Sequence, residues 1–238
     1  SVAAYQTDAP NPVVEGVTPV GNPNWDYGRG KAACEAELER DRLLHGTIYT
    51  VIRPSETYND LRLPGTFVAS PHRGGYTMIH RMRTGKPVLV HDDGKALNCF
   101  LHSVDMARAI VGLFLNEKAY GQCYHITSDE VHSWLEVTQM AAQATGVTPD
   151  IVFVPWLELA RELPSTPLGD TYGVLDKKRY SHIYDNSKIK AAVPEFRNTI
   201  SLFEGLQRVV AYYDAHPELQ QIDEAFSAEI DRVCKKYR

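Results

Sequence analysis

The run Trp25-Asp26-Tyr27-Gly28-Arg29-Gly30-Lys31 stands at the head of a helical pattern. Residues four apart on a helix share a face, so Tyr27 presents its phenol and Lys31 its ammonium side by side. A free tyrosine titrates near ~10 and is a poor acid or base at neutral pH until a neighbouring positive charge stabilises its phenolate. Lys31 can supply that charge, which makes the pair a proton-transfer device. Tyr-x-x-x-Lys also arises by chance on surface helices, so the surroundings decide its meaning.

Outward from this run, strands and helices alternate. Thr47 to Ile52 is β-branched and aromatic and stops at Arg53-Pro54, as a buried strand does. Ser103 to Asn116 reads as a helix with Ala107, Ile110, Val111, Phe114 and Leu115 on its apolar side. Gln122 to Thr127 is a short strand, and Ile151 to Val154 is another, stopped by Pro155. Ser133 with Glu136 forms a capping box for a helix ending before Gly146; Ser201 with Glu204 forms one for a helix reaching Tyr213. The rhythm predicts an α/β fold with a mainly parallel sheet.

Composition narrows the class. The 238 residues are 43% hydrophobic, enough for a substantial core in one or two domains. A formal net charge of -5 gives no electrostatic case for a nucleic-acid or anionic-membrane partner. Cys34, Cys99, Cys123 and Cys234 are scattered without a C-x-x-C pair, which suggests neither a zinc site nor a disulfide framework and fits a reduced, cytoplasmic setting. No run approaches the ~18 apolar residues of a membrane span. His72, His80 and His91 lack ligand spacing, and Asp92-Asp93-Gly94 reads as a turn, so no metal is expected. Trp134 and Trp156 look like packing anchors at helix starts.

No glycine-rich strand-turn-helix of the kind that cradles a dinucleotide pyrophosphate occurs. Gly28 and Gly30 belong to the Tyr/Lys run, and Gly74-Gly75 follows a Pro-His-Arg loop.

An ordered set of segments carries a resemblance. Ser1-Val2-Ala3-Ala4-Tyr5, Glu15, Pro19 to Asn24, Tyr27-Gly28-Arg29-Gly30-Lys31 with Glu35, and Thr50-Val51-Ile52-Arg53-Pro54 with Tyr58 come first. Phe100-Leu101-His102-Ser103-Val104-Asp105-Met106-Ala107, Tyr124-His125-Ile126-Thr127, Asp185-Asn186-Ser187-Lys188 and Glu204-Gly205-Leu206 follow. In this order they resemble the extended short-chain dehydrogenase/reductase superfamily, in its NAD-dependent epimerase/dehydratase group. The resemblance implies a partial Rossmann-like, mainly parallel sheet with a smaller α/β substrate domain. Residues 1-53 and 100-130 would be the remaining part of the nucleotide-binding domain, and 54-99 with 131-238 the substrate-binding domain. It also implies a C-terminal portion of a longer enzyme, with βα units on the order of 100 residues upstream.

The implied chemistry is NAD- or NADP-dependent epimerisation, dehydration or reduction of a sugar-like hydroxyl or carbonyl substrate. Ser1, Tyr27 and Lys31 would be catalytic, with Ser1-Val2-Ala3-Ala4-Tyr5 the end of the strand that carries the catalytic serine and Ser1, as a chain terminus, expected to fray. Tyr27, Lys31, Pro54 and Ser55 would contact the cofactor, and Trp25, Glu56 and Asn98 the substrate. Glu56 could equally cap the next segment or pair with Arg62. His102 and Asp105 would tie the sheet end to a helix cap.

The sequence departs from the family at Asn98-Cys99, where nucleotide-sugar epimerases carry Arg-Asp. Asn98 cannot give a bidentate charged clamp on a diphosphate, which weakens the case for such a substrate. Lys177-Lys178-Arg179 reads as a solvated basic turn rather than a replacement. Homodimerisation or self-association is expected through the Tyr/Lys helix, with Ala33, Ala36 and Leu43. The alternatives are a non-catalytic RNA-binding or regulatory protein of the superfamily, or an inactive structural fragment.

Overall fold

The computed structural model describes residues 1–64, 75–114, 116–163, 165–166 and 169–238. His72, Gly74 and Leu115 lie outside the described residues. Helix α1 (Asp26–His45) leads into β1 (Thr50–Pro54) and β2 (Glu56–Tyr58), followed by α2 (Tyr76–Arg83), β3 (Val88–His91), β4 (Leu97–His102) and α3 (Ser103–Leu113). Then come β5 (Gln122–Ile126), β6 (Val131–Ser133), α4 (Trp134–Ala144), β7 (Ile151–Val154) and α5 (Trp156–Glu162). A short β8–β9 hairpin (Ser165–Thr166, Gly169–Asp170) precedes α6 (Thr171–Lys178), α7 (Ser187–Ala192), α8 (Leu202–Ala215) and α9 (Glu224–Tyr237).

The expected α/β class with parallel pairing holds. Strand β1 runs parallel to β5, with Thr50 opposite Gln122 and Pro54 opposite Ile126. Strands β2 and β4 are parallel, as are β3 and β7, whereas β6 adds antiparallel to β4. One core packs Ile126, Leu101, Ala109 and Ile189 behind β1 and β5. A larger one packs Val88, Phe100, Trp134, Leu206 and Ile230 among β3, β4, α4, α8 and α9. Burial of such side chains is the main favourable term in the fold.

Local chemistry explains the element ends. Ser133 and Glu136 form the reciprocal capping box at α4, and Ser201 accepts from the Glu204 amide at α8. His102 caps α3 by accepting from the Val104 amide and bonds Asp60 through Nε2 at 3.0 Å. Asp105 accepts from the Thr199 and Ile200 amides at 2.8 and 3.2 Å. His102 and Asp105 therefore tie the end of β4 to neighbouring segments.

Three sequence expectations change. Ser1 to Tyr5 is not a strand end; Val2–Ala4 forms a turn of 3-10 helix, and its carbonyls are held by Lys177 Nζ at Val2 and by the Gly21 amide at Ala4 rather than by a ladder. The strand expected from Thr47 begins at Thr50 and continues through Pro54. On α3 the buried residues are Asp105, Ala109 and Leu113, while Val111 and Phe114 are 72% and 75% exposed and Ala107 is exposed. Asp105 occupies the inward stripe because Thr199 and Ile200 satisfy its carboxylate, and an apolar count alone rotates the helix wrongly.

Tyr58 on β2 lies hard against Gly205 on α8, where a Cβ would fall 2.6 Å from a ring carbon. Gly205→Ala is expected to overpack this contact and lower stability by about 1–3 kcal/mol in urea denaturation. An unchanged midpoint would contradict the β2–α8 packing.

Candidate active site

Tyr27 and Lys31 project from the first turns of α1 into a cavity of about 440 Å³. Tyr27 is 46% exposed, Lys31 Nζ lies 5.2 Å from its ring centroid, and the Trp25 ring packs on it at 5.1 Å. Gly28 permits this placement: a Cβ there would sit 2.8 Å from the carbonyl oxygen of Ala3, so a side chain would push α1 away from the Ser1 segment. Ser1 is held rather than frayed. Its nitrogen donates to Ile52 O at 3.1 Å, and its Oγ accepts from the Ala3 amide at 3.3 Å.

Beneath the cavity, β1 is locked to α1 through Arg53. Its Nε reaches both Glu35 oxygens at 3.1 Å, while Nη1 donates to Glu15 O at 3.1 Å and to the Tyr5 hydroxyl. Arg53 and Glu35 are both largely buried. The Tyr5 hydroxyl donates to His125 Nε2 at 2.7 Å, and His125 Nδ1 donates to Asp185 O at 3.1 Å. Burial pushes the Tyr5 phenol up and the His125 imidazole down, which keeps both neutral and suits this pattern.

The segment after β1 supplies the next wall. Pro54, Ser55 and Glu56 line the cavity, and Ser55 Oγ is buried without a hydrogen-bond partner among the described residues. Asn98 on β4 also lines it, its Oδ1 accepting from the Cys99 amide at 2.8 Å. Thus Ser1, Trp25, Tyr27, Lys31, Pro54, Ser55, Glu56 and Asn98, drawn from four separated stretches, meet around one space.

Two expectations about charge are overturned. Glu56 pairs with Lys178, Oε1 to Nζ at 3.2 Å, rather than with Arg62. Lys177 and Lys178 are no solvated turn: they are 7% and 5% exposed, lie in α6 and line the cavity. Lys177 Nζ donates to Val2 O at 3.1 Å, and Lys178 Nζ sits 4.3 Å over the Trp134 ring. Burial pulls both amines down, Lys177 to about 8. Arg62 and His182 also line the space and went unnoticed as site residues in the sequence. A usable signal existed for the lysines: they fall three and four residues after Val174, on the face of α6 that Val174 buries.

His80 and His91 sit on α2 and β3 in separate packing environments, and among the described residues no group of three His, Cys, Asp or Glu side chains is arranged for a metal. Among them, too, no helix is long and apolar enough to cross a membrane.

The fold agrees with the comparison to known proteins. Residues 1–126 match the NAD dependent epimerase/dehydratase family, and the chain belongs to that family. It is 26% identical over 198 residues to 2'-dehydrokanamycin reductase of Streptomyces kanamyceticus, covering 83% of this chain and 53% of the reductase. It is 27% identical over 125 residues to the chloroplast stem-loop binding protein of 41 kDa b of Arabidopsis thaliana, covering 51% of this chain and 31% of that protein. The fold is similar to UDP-glucuronic acid 4-epimerase from Bacillus cereus, solved with UDP-glucuronic acid and NAD, with a TM-score of 0.65, 20% identity, and coverage of 90% of this chain and 59% of that one. The chain thus spans about half the length of the reductase.

The site's electrostatics make a prediction. His91 Nε2 bonds Lys178 O at 3.2 Å and His182 Nε2 bonds Lys177 O at 3.0 Å. Burial pushes these imidazoles down to about 4 and about 3. The unfolded chain takes up protons near ~6.5 while the folded chain does not, so stability falls as pH drops from ~6.5 toward those values. Urea midpoints should be lower at about pH 5 than at about pH 7, with His91→Gln reducing the difference. Equal midpoints would contradict the neutral, buried assignment.

Proposed function

We propose that this chain provides the proton-transfer and substrate-binding side of an NAD(P)-dependent epimerase, dehydratase or reductase acting on a hydroxyl or carbonyl of a sugar-like substrate. The observation that carries this reading is the convergence of Ser1, Tyr27 and Lys31 with Pro54, Ser55 and Glu56 on one cavity. Tyr27 exchanges a proton between its hydroxyl and the reacting oxygen, with Lys31 supplying positive charge beside the ring. Ser1 Oγ, already accepting from Ala3, keeps its own proton to donate to the same oxygen. Trp25 gives an apolar wall, and Glu56 and Asn98 offer polar groups to substrate hydroxyls.

The cofactor fits at one end. Tyr27, Lys31 and the Pro54-Ser55 backbone, with the Ser55 hydroxyl unpartnered among the described residues, suit a nicotinamide riboside, whereas the sequence of 238 residues holds no glycine-rich turn for the pyrophosphate. When bound, NAD(P) supplies hydride acceptance and return. In this reading 1-53 and 100-130 belong to the nucleotide-binding lobe, 54-99 and 131-238 to the substrate lobe, and the cavity opens at their junction. Leu38, Leu43 and Leu44, exposed along α1, suit a homodimer contact.

The likeness to a stem-loop binding protein supports a second reading, RNA binding. The net charge of -5 and the burial of Lys177 and Lys178 argue for the enzyme.

In a polypeptide that carries these residues with a glycine-rich dinucleotide cradle, Tyr27→Phe is expected to lower NAD-dependent turnover about 10²- to 10⁴-fold. Unchanged turnover contradicts the role. Calorimetric titration of the 238 residues alone should give no micromolar NAD affinity; finding it would mean that the cradle lies within them.

A further inference from the structure

Trp25 holds a position that local chemistry would give to another residue. It is the N-cap of α1, where Ser, Thr, Asp or Asn would accept from the first-turn amides, yet the indole makes no capping hydrogen bond. Its Nε1 is buried with no partner among the described residues, so the N–H does not account for the residue either. What remains is the ring. Trp25 is 8% exposed and packs with Ala3 and Val174, wedged between the head of α1 and α6.

The wedge is tight. A Cβ at Gly173 in α6 would fall 2.8 Å from Trp25 Cβ and Cδ1 and 2.5 Å from Asn24 O, so a side chain there would displace the tryptophan. A Cβ at Gly28 would lie 3.3 Å from Trp25 Cε3. Trp25 and Tyr27 both line the cavity, and their rings meet with centroids 5.1 Å apart and planes tilted by 41°. Among the described residues Trp25 is the one aromatic ring against Tyr27, and Lys31 the one cation over it. A side chain as exposed as Tyr27 moves between rotamers on fast timescales unless a neighbour holds it.

We propose that Trp25 is a positioning residue for Tyr27: its ring, set in place by Gly173, fixes the rotamer of the phenol in the cavity and with it the geometry of the Tyr27–Lys31 pair. The proposal rests on reading Tyr27 as the proton-transfer group. An aromatic residue at the cap position then gives up the stability of a capped helix for the aim of the reacting group. Misplacing such a group by about 1 Å can slow a reaction about 10²-fold, so a rigid brace beside a half-exposed phenol bears directly on rate.

Nuclear Overhauser contacts between the Tyr27 ring protons and the Lys31 side chain, identified by their disappearance in Tyr27→Phe, read that geometry in the 238-residue chain without cofactor or turnover. They are expected in the parent chain and in Trp25→Phe, which keeps a ring at the position, and are expected to vanish in Trp25→Leu while the contacts of Tyr213 in the core persist. Should Trp25→Leu fail to fold, Gly173→Ala decides, since it retains the indole but displaces it, and it is expected to weaken the same contacts. In a polypeptide that also carries the glycine-rich cradle, Trp25→Leu should lower kcat about 10- to 100-fold, and Trp25→Phe should recover most of that loss. Undiminished Tyr27–Lys31 contacts in Trp25→Leu or, in its place, in Gly173→Ala would overturn the brace, as would their loss in Trp25→Phe or an unchanged kcat in Trp25→Leu. The Overhauser contacts do not depend on what Tyr27 does chemically, so a failure of the brace is distinct from unchanged turnover in Tyr27→Phe, which would overturn the Tyr27 assignment.

Discussion

Three consecutive side chains at the end of α6 each grip a different part of the cavity wall. Asp176 accepts from Asn22 Nδ2 and Asn24 Nδ2 at 3.0 and 3.1 Å, which holds the loop that delivers Trp25 and Tyr27. Lys177 holds the Val2–Ala4 turn through Val2 O, and Lys178 holds the start of β2 through Glu56. The helix is itself pinned from behind, because Lys178 O accepts from Trp134 Nε1 at 3.0 Å. Without this clamp the Ser1 segment, the Tyr27 loop and the Glu56 segment, which are far apart in the chain, would have little to fix their mutual distance.

The Arg53–Glu35 pair does complementary work on the opposite side. It joins β1 to α1 with charge-assisted bonds inside the protein, and the additional contacts to Glu15 O and the Tyr5 hydroxyl use both donors of Nη1. A buried ion pair adds little net stability once desolvation is counted, but a satisfied one defines geometry closely. Here the geometry is the tilt of α1 over β1, and thereby the direction of Tyr27 and Lys31.

Much of this could be read from sequence because it is local. The four-residue spacing of Tyr27 and Lys31, the Ser133/Glu136 box and the β-branched run ending at Pro54 each express one element's own periodicity or cap. The order of the family segments brought in Ser1, Pro54 and Asn98, which no local rule singles out. What escaped was decided by long-range contact. Lys177 and Lys178 look soluble until Val2, Glu56 and Trp134 close over them, from positions more than forty residues away. Asp105 turned α3 because its partners sit at Thr199 and Ile200, and the Ser1 segment became a helical turn because Lys177 caps its carbonyls.

The clamp is tested most directly by amide hydrogen exchange on Lys177→Gln compared with the parent chain. The account predicts faster exchange confined to Ala4, Tyr5 and Gly21, whose amides bond Ser1 O, Val2 O and Ala4 O, with α4 unchanged. Unaltered exchange at those three amides, or an even rise across α4 and the rest of the core, would contradict it.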